Sequence, residues 1–449
     1  MRNIELLLPA GTLKHMRYAY AYGADAVYAG QPRYSLRVRN NEFSVENIKK
    51  GIDEAHALGK MFYLASNILP HNAKIKTYME DMGPLIEFGP DALIMADPGL
   101  ISMVREKWPE MPVHLSVQAN TVNYAAVRFW QSLGVSRVIL SRELSLDEIE
   151  EIRQQCPDME LEVFVHGALC VAYSGRCLLS GYFNHRDPNQ GSCTNACRWE
   201  YKVHGASENN TGDIQKIEFD AMSAINEPQL FPDTNEIKRH PLADDVYLIE
   251  EQKRPGEYMP IMEDEHGTYI MNSRDLRAVQ HVERLCKMGI DSLKIEGRTK
   301  SHYYVARTAQ IYKQAITDTL SSKPFDASLY GKLEGLANRG YTDGFYQRHP
   351  NQEYQNYLLN HSVSHQQKFV GEIVNFNNDN GMAEILVKNK FAVGDKLEII
   401  APQGNHIITL DSMEDLKGNK MDEAPGGGYQ VRFPLPAMCY EKGMLARYL

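Results

Sequence analysis

The 449-residue chain lacks the features that would mark a membrane protein or a broadly basic RNA-binding protein. No run of 18 apolar residues occurs, so we expect no segment that spans a membrane. Lysine and arginine number 48 against 58 aspartate and glutamate residues, which leaves a net charge of −10. A protein with this charge attracts nucleic acid only through a local basic patch. The sequence opens without a recognisable signal peptide, so we expect a cytoplasmic, reducing location.

Cysteine is scarce in this chain, and its distribution is uneven. Of seven cysteines, four fall within 28 residues: Cys170, Cys177, Cys193 and Cys197. The other three stand alone: Cys156, Cys286 and Cys439. Clustered thiolates are good ligands for soft metals, and structural disulfides are rare in a reducing compartment. We therefore predict that the four clustered cysteines bind one metal centre.

The spacing of these four cysteines favours an iron–sulfur cluster. Gaps of six, fifteen and three residues separate them, whereas zinc ribbons usually use two short C-x-x-C pairs. A [4Fe–4S] cluster accepts ligands from irregular loops. A radical-SAM motif would need a further cysteine at position 200, where the chain has Glu200. Zinc, and thiols that bind nothing, are the alternatives.

Residues 1–320 alternate short apolar runs with longer amphipathic segments. This alternation is typical of βα units around a parallel sheet. Eight runs predict a (β/α)8 barrel resembling that of triosephosphate isomerase, a TIM-like barrel. The runs are Glu5–Leu8, Ala26–Ala29, Met61–Ala65, Ala92–Ala96, Val113–Val117, Arg137–Leu140, Leu161–Val165 and Leu293–Ile295.

Two parts of the chain break this pattern. A cysteine-rich insertion of about residues 170–270 follows strand seven, and a helix over Arg274–Lys287 follows it. Beyond residue 366 the apolar residues alternate with period two, which predicts a small antiparallel β-barrel. We therefore predict a TIM-like barrel over residues 1–330, a connector over 331–365 and a C-terminal β-barrel domain over 366–449.

Polar residues follow most of the predicted barrel strands. In such barrels the carboxyl ends of the strands form one face, and that face carries the active site. Candidates for acid–base catalysis are Glu143, His166 and Glu296. Candidates for substrate binding are Arg33, Arg37, Arg39, Gln118, Asn120, Arg142, Arg186, Lys294 and Arg298. Basic side chains here would guide a phosphate backbone or hold a small dicarboxylate. Local ion pairs, turn positions and, for His166, simple packing are the structural alternatives.

The first two clustered cysteines belong to a longer pattern between Glu162 and Ser180. It reads E-x-F-x-x-G-A-L-C-x4-G-x-C-x-L-S and includes Cys170 and Cys177. This pattern resembles the signature of the collagenase-like proteins of peptidase family U32. The resemblance continues through LLLPAG near residue 6, GADAVYAG near 23, LSVQAN near 115 and SLKIEGR near 292, and so covers most of the chain. In detail it is most similar to a bacterial branch of the family that modifies tRNA.

The resemblance implies an iron–sulfur enzyme that hydroxylates the wobble uridine of tRNA to 5-hydroxyuridine without molecular oxygen. It further implies prephenate, or a carboxylate derived from it, as co-substrate, and the iron–sulfur assembly machinery as a partner. Two rival functions stay open. One is a peptidase, as the family label says, although neither HExxH nor G-x-S-x-G occurs. The other is a non-catalytic RNA-binding subunit that carries the cluster.

We expect alanine at any of Cys170, Cys177, Cys193 or Cys197 to cause loss of iron, because each change removes one of four thiolate ligands. Alanine at Cys156, Cys286 or Cys439 is the control and should leave the iron content unchanged. Iron and acid-labile sulfide analysis after anaerobic reconstitution measures the outcome. Protein that takes up one zinc ion and no iron under conditions suited to both would contradict the prediction.

Overall fold

The computed structural model describes residues 4–36, 42–169, 275–336, 338, 340–347, 367–436 and 438–449, together with the backbone of six short strands between residues 201 and 268. Its larger part is a parallel β-barrel wrapped by helices. Consecutive strands pair in chain order around the barrel. The first seven strands are β1 Glu5–Ala10, β2 Ala26–Gly30, β3 Met61–Ser66, β4 Ala92–Met95, β5 Val113–Leu115, β6 Arg137–Ile139 and β7 Glu160–Ala168.

The described strands of the insertion are antiparallel and lie outside the barrel sheet. They form a four-stranded sheet in the order β11-β10-β8-β9 and a two-stranded sheet of β12 and β13. Their bounds are β8 Tyr201–Glu208, β9 Ile214–Lys216, β10 Tyr247–Glu251, β11 Tyr258–Ile261, β12 Glu263–Asp264 and β13 Gly267–Thr268.

The chain rejoins the barrel beside the strand from which it left. Strand β14 (Asp275–Arg277) pairs antiparallel with the end of β7, so that Asp275 lies opposite Ala168. Strand β15 (Ser292–Ile295) then pairs parallel with both β1 and β7 and closes the eight-stranded barrel. A short strand, β16 (Tyr341–Thr342), adds to β14. The predicted (β/α)8 barrel is therefore confirmed.

Helices cover the outside of the barrel, and most of them begin at a polar side chain that caps the first turn. Thr12 accepts a hydrogen bond from the backbone nitrogen of His15, and Ser145 forms a capping box with Glu148. The helices are α1 Leu13–Ala21, α2 Val45–Ala57, α3 Asn72–Glu87, α4 Pro98–Lys107, α5 Tyr124–Ser132, α6 Leu146–Gln155, α7 Val282–Met288, α8 His302–Leu320 and α9 Ser328–Glu334. In the described part of the chain, none of the helices has both the length and the apolarity needed to cross a bilayer.

The prediction of a helix over Arg274–Lys287 was wrong for the first half of that segment. Strand β14 and a 3-10 turn over Val279–His281 occupy that half, and only α7 is helical. Asp275 and Leu276 are buried because β14 covers the end of β7. Pairing with a distant strand therefore overrides the helical periodicity of this segment.

The C-terminal part is a curled antiparallel sheet with the strand order β21-β20-β26-β17-β18-β25-β22-β23, joined by a two-stranded pair of β19 and β24. Its strands are β17 Gln367–Asn377, β18 Met382–Val387, β19 Phe391–Ala392, β20 Lys396–Ile400, β21 His406–Thr409, β22 Met413–Asp415, β23 Lys420–Met421, β24 Glu423–Ala424, β25 Gln430–Pro434 and β26 Met444–Tyr448. The predicted antiparallel domain is confirmed. Its own apolar core includes Phe391, Phe433 and Leu445.

The C-terminal sheet packs against α1 and α8 on the flank of the barrel. Ile400, Met444 and Ala446 belong to the same apolar core as the barrel strands. Phe369 stacks on Tyr303 of α8 with ring centroids 4.7 Å apart. These contacts make the barrel and the sheet one continuous packed structure.

A buried ion pair crosses this interface. Arg307 of α8 donates from Nη2 to Oε2 of Glu398 on β20 at 2.9 Å. Gln367 and Asn405 donate to the two oxygens of the same carboxylate at 2.6 and 2.7 Å. Because both charged groups are buried, each depends on the other for compensation.

We expect Arg307→Met to destabilise the protein by about 3–5 kcal/mol, because it leaves Glu398 buried without its cation. Urea unfolding followed by circular dichroism measures the loss. The double variant Arg307→Met/Glu398→Leu removes both charges and should recover a large part of it. Lys49→Met, which breaks an exposed pair with Asp53, is the control and should change the stability by less than about 1 kcal/mol. Wild-type stability in Arg307→Met would contradict the prediction.

Candidate functional site at the barrel mouth

The interior of the barrel below its mouth holds a chain of buried charges. Arg137 donates from Nη1 to Glu5 at 2.6 Å and to Glu162 at 3.1 Å. Glu162 in turn accepts from Nζ of Lys294 at 2.7 Å. The strand register brings these residues together, because neighbouring residues in a parallel ladder point to the same side of the sheet. Pairing is what makes their burial tolerable.

Lys294, a predicted substrate-binding residue, lies in this interior and not on the rim. It is 2% exposed, and its ammonium group sits 4.4 Å from the centroid of the Tyr28 ring. Burial lowers the pKa of Lys294, and the neighbouring Glu162 carboxylate partly offsets that shift. A phosphate backbone passing over the mouth would not reach it. Only a small molecule that enters the barrel could contact it.

Above this layer the structure brings two predicted residues together. Arg142 follows β6, Glu296 follows β15, and Nη2 of Arg142 donates to Oε2 of Glu296 at 3.2 Å. The Arg142 guanidinium also lies 3.7 Å from the centroid of the Phe164 ring. The Glu296 backbone is held on both sides, since its nitrogen donates to the carbonyl of His166 and its carbonyl accepts from Tyr304 at 2.8 Å each.

The second basic residue of the mouth is Arg298. Its Nη2 donates to the carbonyl of Leu36 at 2.7 Å, so the loops after β15 and β2 are joined. The guanidinium passes over Gly30 so closely that a Cβ there would lie 2.5 Å from Nη1. Glycine at this position therefore makes room for the arginine. Arg298 is 8% exposed.

The remaining described candidates occupy less central places. Arg33 is half exposed and forms an ion pair with Asp81 of α3 at 2.6 Å. Glu143 accepts a hydrogen bond from the Ser141 hydroxyl. Gln118 is buried within a 3-10 turn and accepts from Ser116 at 3.1 Å. Asn120 ends that turn with a left-handed φ of 51°, a conformation that asparagine tolerates well.

His166, a predicted acid–base residue, points away from the mouth. Its ring packs among Tyr304, Tyr312 and Tyr341, with ring centroids 5.4–5.8 Å away. Burial lowers its pKa to about 3, although Asp275 partly opposes the shift. The imidazole is therefore neutral at physiological pH and is surrounded by tyrosines. The expectation that His166 lies at the mouth was therefore wrong. The structure favours the alternative, in which His166 is a packed histidine.

Several predicted residues lie outside the described part of the chain. They are Arg37, Arg39, Arg186 and the four clustered cysteines. Of the solitary cysteines, Cys156 and Cys286 are buried and Cys439 is exposed. Within the described ranges, no three His, Cys, Asp or Glu side chains converge as a metal site. The metal prediction therefore stays a prediction.

Two residues of the mouth were not predicted. Tyr28 on β2 lies near both Arg298 and Lys294, with 5.8 and 4.4 Å from its ring centroid to the two cations. Phe164 on β7 supports Arg142. Alternation along β2 puts Tyr28 on the side opposite Val27 and Ala29, but the apolar run AVYAG does not tell which side faces the barrel interior.

The mouth can bind an anion next to a carboxylate. Arg142, Arg298 and Glu296 together carry one positive charge in excess, with Lys294 and its partner Glu162 below. Arginine binds carboxylates and phosphates through two parallel hydrogen bonds, which fixes the orientation of the bound group. Glu296 is the titratable group best placed to exchange a proton with a ligand held there.

These features define a closed βα-barrel protein whose charged site opens at the carboxyl ends of its strands. The chain belongs to peptidase family U32: the family's model matches residues 11–356, and the model of its C-terminal domain matches residues 365–447.

Curated relatives match the chain along most of its length. It is 64% identical to tRNA hydroxylation protein P of Escherichia coli, over 96% of this chain and 94% of that protein. The namesake protein of Haemophilus influenzae is 59% identical over 96% of this chain and 93% of its own length. The 23S rRNA 5-hydroxycytidine C2501 synthase of Escherichia coli is 35% identical over 45% of this chain and 30% of its own.

We expect Gly30→Ala to destabilise the protein by about 1–3 kcal/mol, because the added methyl group overlaps Arg298 and Ser35. Thermal or urea unfolding measures the change. The double variant Gly30→Ala/Arg298→Ala should lose less free energy of unfolding than the two single variants lose together, since removing the Arg298 side chain partly relieves the overlap. Gly331→Ala, which points into open space, is the control. Strict additivity would show that Arg298 does not lie against Gly30.

Proposed function

We propose that this chain hydroxylates tRNA, converting the wobble uridine to 5-hydroxyuridine in the cytoplasm. The observation that carries the proposal is its 64% identity over 96% of its length to a protein named for tRNA hydroxylation. A relative named as an rRNA hydroxycytidine synthase supports hydroxylation of a pyrimidine in RNA as the chemistry. The basic residues near the barrel mouth support RNA as the substrate.

An iron–sulfur cluster is part of this proposal. Cys170, Cys177, Cys193 and Cys197 would hold it, and when bound it would supply electron transfer or a Lewis-acidic iron. Cys170 comes two residues after Ala168, the end of β7, and β14 returns the chain beside that residue. Both ends of the insertion are therefore anchored at the mouth. The iron–sulfur assembly machinery would be needed to load the protein.

Prephenate, or a carboxylate made from it, is the proposed co-substrate. Arg142 and Arg298 provide guanidinium groups after β6 and β15, the strands on either side of β7, and Phe164 and Tyr28 provide aromatic surface beside them. Carboxylates pair with arginine, and an unsaturated ring packs against aromatic faces. Glu296, held by Arg142 and by its own backbone bonds, would position a proton on the ligand.

The experiment is mass spectrometry of tRNA nucleosides from a strain that lacks the gene. Wild-type protein should restore 5-hydroxyuridine, including under anaerobic growth, because the oxygen atom would come from the co-substrate and not from O2. Cys177→Ala and Arg142→Gln should restore little or none, whereas Cys439→Ser, an exposed solitary thiol, should restore it fully.

Three outcomes would change the proposal. Unaltered 5-hydroxyuridine in the deletion strain would overturn it. Full modification in a strain unable to make prephenate would remove prephenate from it. Purified protein that needs another protein for catalysis would make the chain an RNA-binding iron–sulfur subunit.

A further inference from the structure

One carboxylate at the junction of the barrel and the C-terminal sheet is shared by two lysines. Oε2 of Glu372, on β17, lies 2.6 Å from Nζ of Lys14 on α1. Its Oε1 lies 3.0 Å from Nζ of Lys388, at the end of β18, and 3.3 Å from Nε2 of His302 on α8. Burial alone would raise the pKa of Glu372, but the neighbouring His302, Lys14 and Lys388 outweigh burial and hold the pKa well below its usual range.

This cluster lies at the mouth end of the barrel. Lys14 is in the first turn of α1, which begins directly after β1, and His302 opens α8, which follows β15. The strands β15, β1 and β2 are neighbours in the barrel. Around the rim, Lys14 therefore falls between Arg298 after β15 and Arg33 after β2. Lys388, which shares Glu372 with Lys14, extends this row of basic residues onto the C-terminal sheet.

The cluster is positive and its lysines reach solvent. Two ammonium groups on one carboxylate leave one positive charge in excess, on a protein whose net charge is −10. The side chains of Lys14 and Lys388 are 45% and 34% exposed, whereas Glu372 is 7% exposed. The buried carboxylate therefore orients both lysines from below while their ammonium groups stay accessible to an anion.

The backbone around Lys388 is held in place. Its nitrogen donates to the carbonyl of Val370 at 2.8 Å, and the side chain of Asn389 donates to the carbonyl of Phe369 at 2.8 Å. Phe369 stacks on Tyr303 of α8, so this turn is fixed to the barrel. The distance between Lys14 and Lys388 is thus set by the fold before any ligand arrives.

We propose that Lys14 and Lys388 bind the phosphate backbone of the RNA substrate where it passes from the barrel mouth onto the C-terminal sheet. This inference rests on the proposed function for the identity of the substrate. Phosphate suits the site because lysine binds it as a point charge and needs no planar geometry. The C-terminal sheet thereby contributes to RNA binding through its edge next to the mouth.

The test is the salt dependence of tRNA binding by the double variant Lys14→Gln/Lys388→Gln, with cluster-loaded full-length protein and unmodified tRNA. The slope of log Kd against log salt should fall by about two units, because two phosphates are no longer neutralised by an ammonium group. The double variant Lys107→Gln/Lys287→Gln is the matched control. It removes the same charge at the far ends of α4 and α7, away from the mouth, and should keep the wild-type slope.

Glu372→Gln separates phosphate binding from a purely structural role. It removes the carboxylate but keeps both lysines, so we expect tRNA affinity equal to or higher than that of wild type. If the lysines serve only to fasten the sheet to the barrel, Glu372→Gln will weaken binding as much as the double lysine variant does, and the inference fails.

The proposed function and this inference can fail separately. Wild-type protein that shows no salt-dependent tRNA binding would overturn both. Wild-type binding with an unchanged slope in Lys14→Gln/Lys388→Gln would overturn only the phosphate site. Thermal unfolding of each variant accompanies the titrations, so that a loss of affinity is interpreted only in protein that remains folded.

Discussion

The structure depends on closing a parallel barrel around buried charges. Arg137 lies between Glu5 and Glu162, and Glu162 also accepts from Lys294, so strands β1, β6, β7 and β15 are tied through a single ionic chain. Each member would be costly to bury alone. The chain of charges joins β1 and β15, the two strands between which the barrel closes. That closure places Arg142, Glu296 and Arg298 on the same rim.

Strand β7 has a second role, as the point where the insertion leaves and returns. Its lower half pairs with β6 and its upper half pairs with β14, while β15 pairs along Glu162–His166. The pairing with β15 has a register shift between Lys294 and Ile295. Gly167 allows the close approach of Glu296, since the φ of Gly167 is +106° and a Cβ would lie 2.5 Å from the carbonyl oxygen of Glu296. The described residues on either side of the insertion, at the ends of β7 and β14, therefore lie at the carboxyl end of the barrel.

The C-terminal sheet covers the flank of the barrel and packs with it as one body. Arg307 and Glu398 join the two regions in the interior, and Lys14 and Glu372 join them near the mouth. A domain joined in this way cannot move independently of the catalytic face without exposing buried charge. RNA that contacts both regions would therefore meet one rigid surface.

Local features of the sequence predicted much of this protein. The alternation of strand and helix and the antiparallel C-terminal strands follow from the periodicity of apolar residues. The clustered cysteines and the polar strand ends pointed to a site at the barrel mouth. Which of those polar residues meet was decided only by the tertiary structure. His166 packs among three tyrosines, Lys294 pairs inside the barrel, and Lys14 contacts Glu372, a residue 358 positions away. Sequence periodicity reports the path of the chain over a few residues, whereas these contacts depend on how the barrel closes and how the sheet packs against it.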